Sequence, residues 1–311
     1  MSENGGRWTV FVVIALIAFT GVLLLAERSN DKEDVTDKRA WVLGDYDIRI
    51  NTTIPEERGE WNYIEYPDGS IERSDAEAFV EERFPTYEWD KVSFSELIDG
   101  RGTYHFYNET NDVSIIVGKY FVRIDLGENP YLLSPQQAAE LTLPDSTVRD
   151  IAMDFLTQHK LLPQEKYSLK VGYVNVTDGY GNRATVEYKC ILQKTVDSHV
   201  VEGEQRIMVS ISPAGEVKKC SIYWPPQEEV KVMQVREVIS ASEALEVLLN
   251  TSSPMIFSGQ QVLEITDISL IYYSSNPYQK GVYITPVWRF VFNGLSSLHI
   301  DINAITGEPI S

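Results

Sequence analysis

The chain is poor in the residues from which active sites and covalent staples are usually built. Its 311 residues include two cysteines, Cys190 and Cys220, and four histidines, His105, His159, His199 and His299. There is no Cys-x-x-Cys pair and no His/Cys spacing of the kind that holds a metal. HExxH, GxSxG, Gly-rich phosphate loops and EF-hand loops are missing as well. Asp197-Ser198-His199 spells the letters of a catalytic triad, but adjacent residues in a loop cannot supply a geometry that is recognised in space. The acidic pairs Glu56-Glu57, Glu81-Glu82 and Glu228-Glu229 read as solvated faces rather than cation sites. The expectation is no catalysis, no cofactor and no metal. The histidines read as structural, with His159 closing an amphipathic helix where the dipole favours it.

Positive charge is scarce too. Lys and Arg number 27 against 46 Asp and Glu, a formal net charge of −19. Nucleic acid is excluded as a partner, because a phosphate-binding surface needs clustered cations. A domain held on anionic lipid by basic patches is excluded on the same ground. The acidity serves solubility.

What the chain does have is a long apolar run. Trp8–Ala26 carries no charge and as a helix would span about 28 Å, close to the thickness of a bilayer core. It is longer than the apolar region of a signal peptide, and Leu24-Leu25-Ala26 is a poor cleavage site. The reading is a single-pass transmembrane helix after a short cytoplasmic tail, residues 1–7. Arg28, Lys32, Lys38 and Arg39 follow the helix and Arg7 alone precedes it. Taken literally, the positive-inside rule would keep the large domain in the cytoplasm, but long domains cross largely regardless of charge. Four Asn-x-Ser/Thr sequons, at Asn51, Asn108, Asn175 and Asn250, point outward as possible N-glycosylation sites. The expected location is the cell membrane with the large C-terminal domain outside.

Residues 27–45 are a charged linker. Beyond it the pattern of a capped helix followed by antiparallel strands recurs. The helices start at Ser74-Asp75-Ala76-Glu77, near Asp145, and at Ser240-Ala241-Ser242-Glu243, the first and third as capping boxes. Val148, Ile151, Ala152, Phe155 and Leu156 form an apolar stripe in the second, and Ala244, Leu245, Leu248 and Leu249 in the third. Each strand block closes on a Gly-Glu turn, at Gly127-Glu128, Gly215-Glu216 and Gly307-Glu308. The expected fold class is therefore α+β, an N-terminal transmembrane helix followed by repeated helix-plus-antiparallel-sheet units. The units divide at residues 46–142, 143–230 and 231–311. A two-residue hairpin loop at Pro213-Ala214 would place Cys220 opposite Ile207, with Cys190 opposite Val209. A strand would then separate the cysteines by about 10 Å, too far for a disulfide.

Two stretches resemble known families. Lys194–Cys220, KTVDSHVVEGEQRIMVSISPAGEVKKC, is similar to the strand, loop, strand and turn of PepSY-type domains. Ile265–Ser311 resembles the C-terminal strands of extracytoplasmic YycH/YycI-type regulatory proteins and of PepSY-like domains. There Pro286-Val287-Trp288 matches a P-x-W strand, and Asn303-Ala304 with Thr306-Gly307-Glu308 matches a closing turn. The resemblance implies PepSY/cystatin-like units and a regulatory, protein-binding role, with a sensor or protease in or outside the membrane as partner. An inhibitor or chaperone of a secreted protease is the alternative, and a hydrolase whose carboxylates meet only in the fold is a third. Tyr272, Tyr273, Tyr278 and Tyr283 cluster around one turn and form the candidate interaction surface.

The orientation has a direct check. Protease added to intact cells is expected to digest the large domain, and complete protection would place it on the inner side.

Overall fold

A computed structural model describes residues 40–43, 46–56, 59–96, 102–127, 141–177, 183–250, 262–275, 281–293 and 299–310. In chain order the strands are β1 (Ala40–Leu43), β2 (Tyr46–Ile50) and β3 (Glu60–Tyr66), then helix α1 (Arg73–Arg83). Next come β4 (Lys91–Glu96), β5 (Gly102–Asn108), β6 (Val113–Val117), β7 (Phe121–Leu126) and helix α2 (Asp145–Gln158). The middle of the chain forms β8 (Tyr167–Thr177), β9 (Arg183–Val196), β10 (His199–Gly203), β11 (Arg206–Ile211) and β12 (Val217–Tyr223). A 3₁₀ turn at Gln227–Glu229 leads to β13 (Val232–Glu237) and helix α3 (Ala241–Asn250). β14 (Val262–Ser274), β15 (Val282–Phe292) and β16 (His299–Asn303) follow.

The expectation of separate, repeated helix-plus-antiparallel-sheet units behind a transmembrane helix is corrected here. The strands join one 16-stranded mixed sheet, whose path runs β13-β3-β15-β14-β10-β9-β11-β12-β7-β6-β5-β4. β14 is parallel to both β10 and β2. Strands expected together separate widely: β3 lies between β13 and β15, while β4–β7 reach the sheet's other end through β12. The physical reason is that a small antiparallel unit leaves unpaired N–H and C=O groups along both edges, and the chain satisfies them by pairing edges with one another. The helix expected at Trp8–Ala26 lies outside the described residues. No described helix is long and apolar enough to cross a membrane.

The helices lie where the apolar stripes put them, but not one to a sheet. α1 buries Ala76 and Val80, and α2 buries Val148, Ala152, Phe155 and Leu156, in one shared core with β5–β7, β9, β11 and β12. His159 stacks on Phe84 at 4.5 Å and its Nδ1 donates to the Arg83 carbonyl at 2.8 Å, so the ends of α1 and α2 are tied. α3 buries Ala241, Ala244, Leu245 and Leu248 against β2 and β14–β16 in a second core. Its capping box forms as expected: Glu243 accepts from Ser240 N at 2.7 Å, and Ser240 Oγ accepts from Glu243 N at 3.2 Å. The box expected at Ser74 does not, because α1 begins two residues earlier than that cap requires and its N-cap is Glu72, with no side-chain cap bond.

The three closing turns share their chemistry. Gly127, Gly215 and Gly307 all take positive φ, at 88°, 85° and 73°, which a side chain would resist. At the middle turn this glycine lengthens the loop, and a bulge follows between Ser210 and Ile211. Cys220 is thereby shifted two residues along the ladder, opposite Val209 rather than Ile207. Cys190 pairs with Val209 as expected, so β11 separates the two buried thiols. Burial pushes the Cys190 thiol up to about 11, and Cys220 further still. Both thiols are expected to ignore a thiol reagent in the native protein and to titrate fully in denaturant without reductant. A missing thiol in the denatured monomer would mean a bridge and a different strand order.

Candidate functional site

Buried polar chemistry concentrates where β9 ends. Along β9 the residues Ala184, Val186, Tyr188, Cys190, Leu192 and Val196 face the core, and Lys194 stands in the same phase. The alternation thus carries a lysine inside, where it is 4% exposed. Its Nζ donates to the Tyr66 hydroxyl at 3.0 Å and to the Pro225 carbonyl at 2.6 Å. The Glu165 carboxylate is 3.8 Å away, and the rings of Tyr66 and Trp224 lie 5.2 and 5.5 Å from the amine. Glu165 in turn accepts from Trp224 Nε1 at 3.1 Å and from Gln227 N at 2.9 Å. Beside it the Tyr120 hydroxyl lies 3.0 Å from both the Pro67 carbonyl and Glu229 Oε2.

Burial lowers the Lys194 amine to about 8, with the charges of Glu165 and Glu228 opposing. Burial alone would raise the Glu165 carboxyl, but its hydrogen bonds and the Lys194 charge outweigh this and hold it low. An amine titrating near neutrality has the reactivity of a nucleophile. Here it is packed between two rings and committed to two acceptors. It ties β9 to β3 and to the segment leaving β12. This lysine was legible in the sequence as the one charged residue on the inward phase of a long alternating strand.

A second polar knot follows at once. Asp197 and Ser198 form the β9–β10 turn with φ of 49° and 69°. Asp197 Oδ2 accepts from Asn62 Nδ2 at 2.6 Å and from the Tyr272 hydroxyl at 2.8 Å, while Tyr272 Oη accepts from Asn62 N at 3.1 Å. Trp61 packs on His199 at 4.9 Å and on Tyr272 at 4.8 Å. The triad letters therefore do not make a triad: the aspartate orients a tyrosine and an asparagine, and the histidine packs against a tryptophan. Burial, then Asp197, raises the Tyr272 hydroxyl well above its ordinary range.

The expected tyrosine surface is divided: Tyr273 and Tyr283 lie near each other on one face of the sheet, and Tyr272 is withdrawn to the other. Tyr272 is 1% exposed and belongs to the core. Tyr273 is its neighbour on the same strand, so it points to the opposite face. Tyr283 stacks with Tyr63 at 6.3 Å, and Tyr278 lies outside the described residues. Of the sequon asparagines, Asn51 and Asn250 are exposed. Asn108 is buried, with its amide donating to the Glu88 carbonyl and its oxygen accepting from Asn111 N at 2.7 Å. Asn175 accepts from Thr185 Oγ1 at 2.9 Å. Among the described residues no group of three or more His, Cys, Asp or Glu side chains could hold a metal ion.

The chain matches no protein-family model and no curated protein. It has a remote structural likeness to an uncharacterized protein from Eubacterium rectale, at 14% identity and a TM-score of 0.45, covering 88% of this chain and 92% of the other. A second is to the C-terminal domain of YpeB from Bacillus megaterium, at 11% identity and a TM-score of 0.35, covering 78% of this chain and 97% of that one. Each is a likeness in chain course and says nothing of what this chain does.

The buried lysine makes stability depend on pH. Its folded value of about 8 lies below its ordinary 10.5, so below pH 8 both states hold the proton and the cost of the buried charge is present in full. As pH rises from about 8 to 10 the folded state releases the proton first. Wild-type stability is then expected to rise relative to Lys194→Met by on the order of 2 kcal/mol. Above pH 10 the buried hydroxyls of Tyr66 and Tyr120, both raised, cost stability instead. Denaturant unfolding of both proteins at pH 7 and pH 10 measures the difference, and an unchanged difference would refute a depressed amine. Glu165→Gln is expected to lose about 2 kcal/mol at pH 7 by leaving the amine less compensated.

Proposed function

We propose that this protein is a membrane-anchored extracytoplasmic module that acts by contact with another membrane or extracytoplasmic protein and carries out no catalysis. The apolar run Trp8–Ala26 supports the anchor, and the exposed sequon asparagines Asn51 and Asn250 support the outward face. The resemblances of Lys194–Cys220 and Ile265–Ser311 to PepSY-type and YycH/YycI-type regulatory proteins belong to the same proposal. The two polar knots support a structural use of the buried charges, since their reactive groups are engaged inside the fold.

The observation that carries the reading is β4. Among the described residues it pairs with β5 alone and ends the sheet. All six of its residues are exposed, including Val92 at 38% and Phe94 at 54%. Val92 stands opposite Phe106 and Phe94 opposite Tyr104, so they continue the core-facing side of the sheet past the cover of α1. An open edge beside uncovered apolar side chains suits a partner that adds an extended strand, with main-chain bonds for affinity and side chains for selectivity.

A photocrosslinking residue placed at Phe94 of the full chain in native membranes is expected to capture a discrete protein. The same residue at the exposed Asp154 on α2 is expected not to. Equal adducts from both positions would exclude β4 as the contact.

A further inference from the structure

The joint where β10 meets β14 contains a fault. Gln205 is 0% exposed, and among the described residues neither its amide nitrogen nor its amide oxygen has a hydrogen-bond partner. In water both atoms would be satisfied. Folded, they are sealed from solvent and bare, a cost that native proteins rarely carry.

The residue stands where the chain makes a detour. Val196 and Thr195 of β9 face His199 and Val200 of β10, and Gln193 of β9 faces Arg206 of β11. Between these points the chain leaves β9 and crosses to β14, where Val201, Glu202 and Gly203 pair with Tyr272, Tyr273 and Ser274. It returns through a tight turn centred on Gln205, in which Arg206 N donates to the Glu204 carbonyl at 2.7 Å. Gln205 N donates to the Ser274 hydroxyl at 2.9 Å, so a side chain closes the ladder there.

The ends of the detour are fixed by apolar burial and its middle is not. Val201 and Ile207 are each 1% exposed and belong to cores. Glu202, Gly203 and Glu204 are half-buried, and the stretch Glu202–Gln205 has no apolar side chain. It holds to β14 by the last two parallel pairs and the Ser274 hydroxyl, and parallel pairing is the weaker kind. Lifting it exposes little apolar surface, breaks few bonds and hydrates the Gln205 amide.

We infer that Glu202–Gln205 is a latch. It releases from β14 transiently and as a unit, with Val201 and Ile207 holding its ends, and hydration of the Gln205 amide offsets most of the bonds lost. Both halves of the sheet stay folded in the open state. The Lys194 amine and the core that Val201 shares with Tyr66 and Ile284 keep them together. Opening bares the edge of β14 at Tyr273 and Ser274, so the coupling between the halves changes without unfolding either. The latch is independent of what binds β4.

Hydrogen exchange of the full chain in detergent, read by mass spectrometry on peptides covering the latch and β11, tests this. Latch amides are expected to exchange at least tenfold faster than those of Ile207–Ile211. Low denaturant is expected to leave the latch rate unchanged, because opening exposes little surface. Gln205→Met keeps the length of the side chain, removes both orphan atoms and is expected to slow latch exchange about tenfold. Thr285→Val removes another buried orphan, the hydroxyl of a β15 residue that faces Tyr273, and is expected to leave the latch rate as it is. Gly203→Ala brings a Cβ to 2.6 Å from the Ser274 carbonyl and is expected to hold the latch open while β11 keeps its protection. The inference is overturned if latch and β11 amides exchange together, if Gln205→Met fails to slow the latch, if Thr285→Val slows it as much, or if Gly203→Ala unfolds β11 as well.

Discussion

The sheet depends on a short parallel ladder between β10 and β14. Val201, Glu202 and Gly203 pair there with Tyr272, Tyr273 and Ser274, joining the half that carries α1 and α2 to the half that carries α3. A ladder this short holds little by itself, and its surroundings clamp it. Gly203 has a φ of 98°, and a Cβ at that position would stand 2.6 Å from the Ser274 carbonyl, so only glycine allows the approach. Ser274 Oγ accepts from Gln205 N at 2.9 Å and donates to the Glu202 carbonyl at 3.2 Å. Just before the ladder, the Asp197 carboxylate fixes Tyr272 and Asn62, and through them β3.

The Lys194 knot belongs to the same joint. It binds β9 to β3 and to the backbone after β12 through one amine, so charge stands where a smaller apolar side chain would leave those elements untied. Arg289 and Asp301 do similar work farther along, bridging β15 and β16 by two bonds at 2.8 and 2.7 Å. Buried ion pairs of this kind add little net stability, but they penalise any arrangement that leaves one partner alone.

Local chemistry was legible in the sequence. Val148, Ala152, Phe155 and Leu156 of the apolar stripe in α2 are buried, and Ser240 with Glu243 caps α3. The glycine turns were visible as dipeptides, but what they do to register was not. One loop residue and one bulge moved Cys220 by two places, and neither has a signature beyond the glycine itself. Least legible were the pairings that make the fold one sheet. Val262 lies beside Asp47 and Val201 beside Tyr272, and nothing near any of these residues indicates a parallel neighbour so far along the chain. Tyr272 shows the cost: beside Tyr273 and Tyr283 it reads as surface, and only the long-range contact with Asp197 and Trp61 makes it core.

The placement of β2 and β3 has a consequence for the order of assembly. β2 pairs with its neighbour β1 and β3 with β13, but their other partners β14 and β15 are among the last segments to be synthesised, so each strand keeps one edge open while most of the chain emerges. The antiparallel run from β4 to β12 can close on contacts nearer in sequence and can complete first, because shorter loops cost less entropy to close. The half of the molecule nearest the N-terminus is therefore finished by the C-terminal strands, and a chain that ended before β14 would hold a formed α1–α2 half beside β2, paired with β1 alone, and β3, paired with β13 alone.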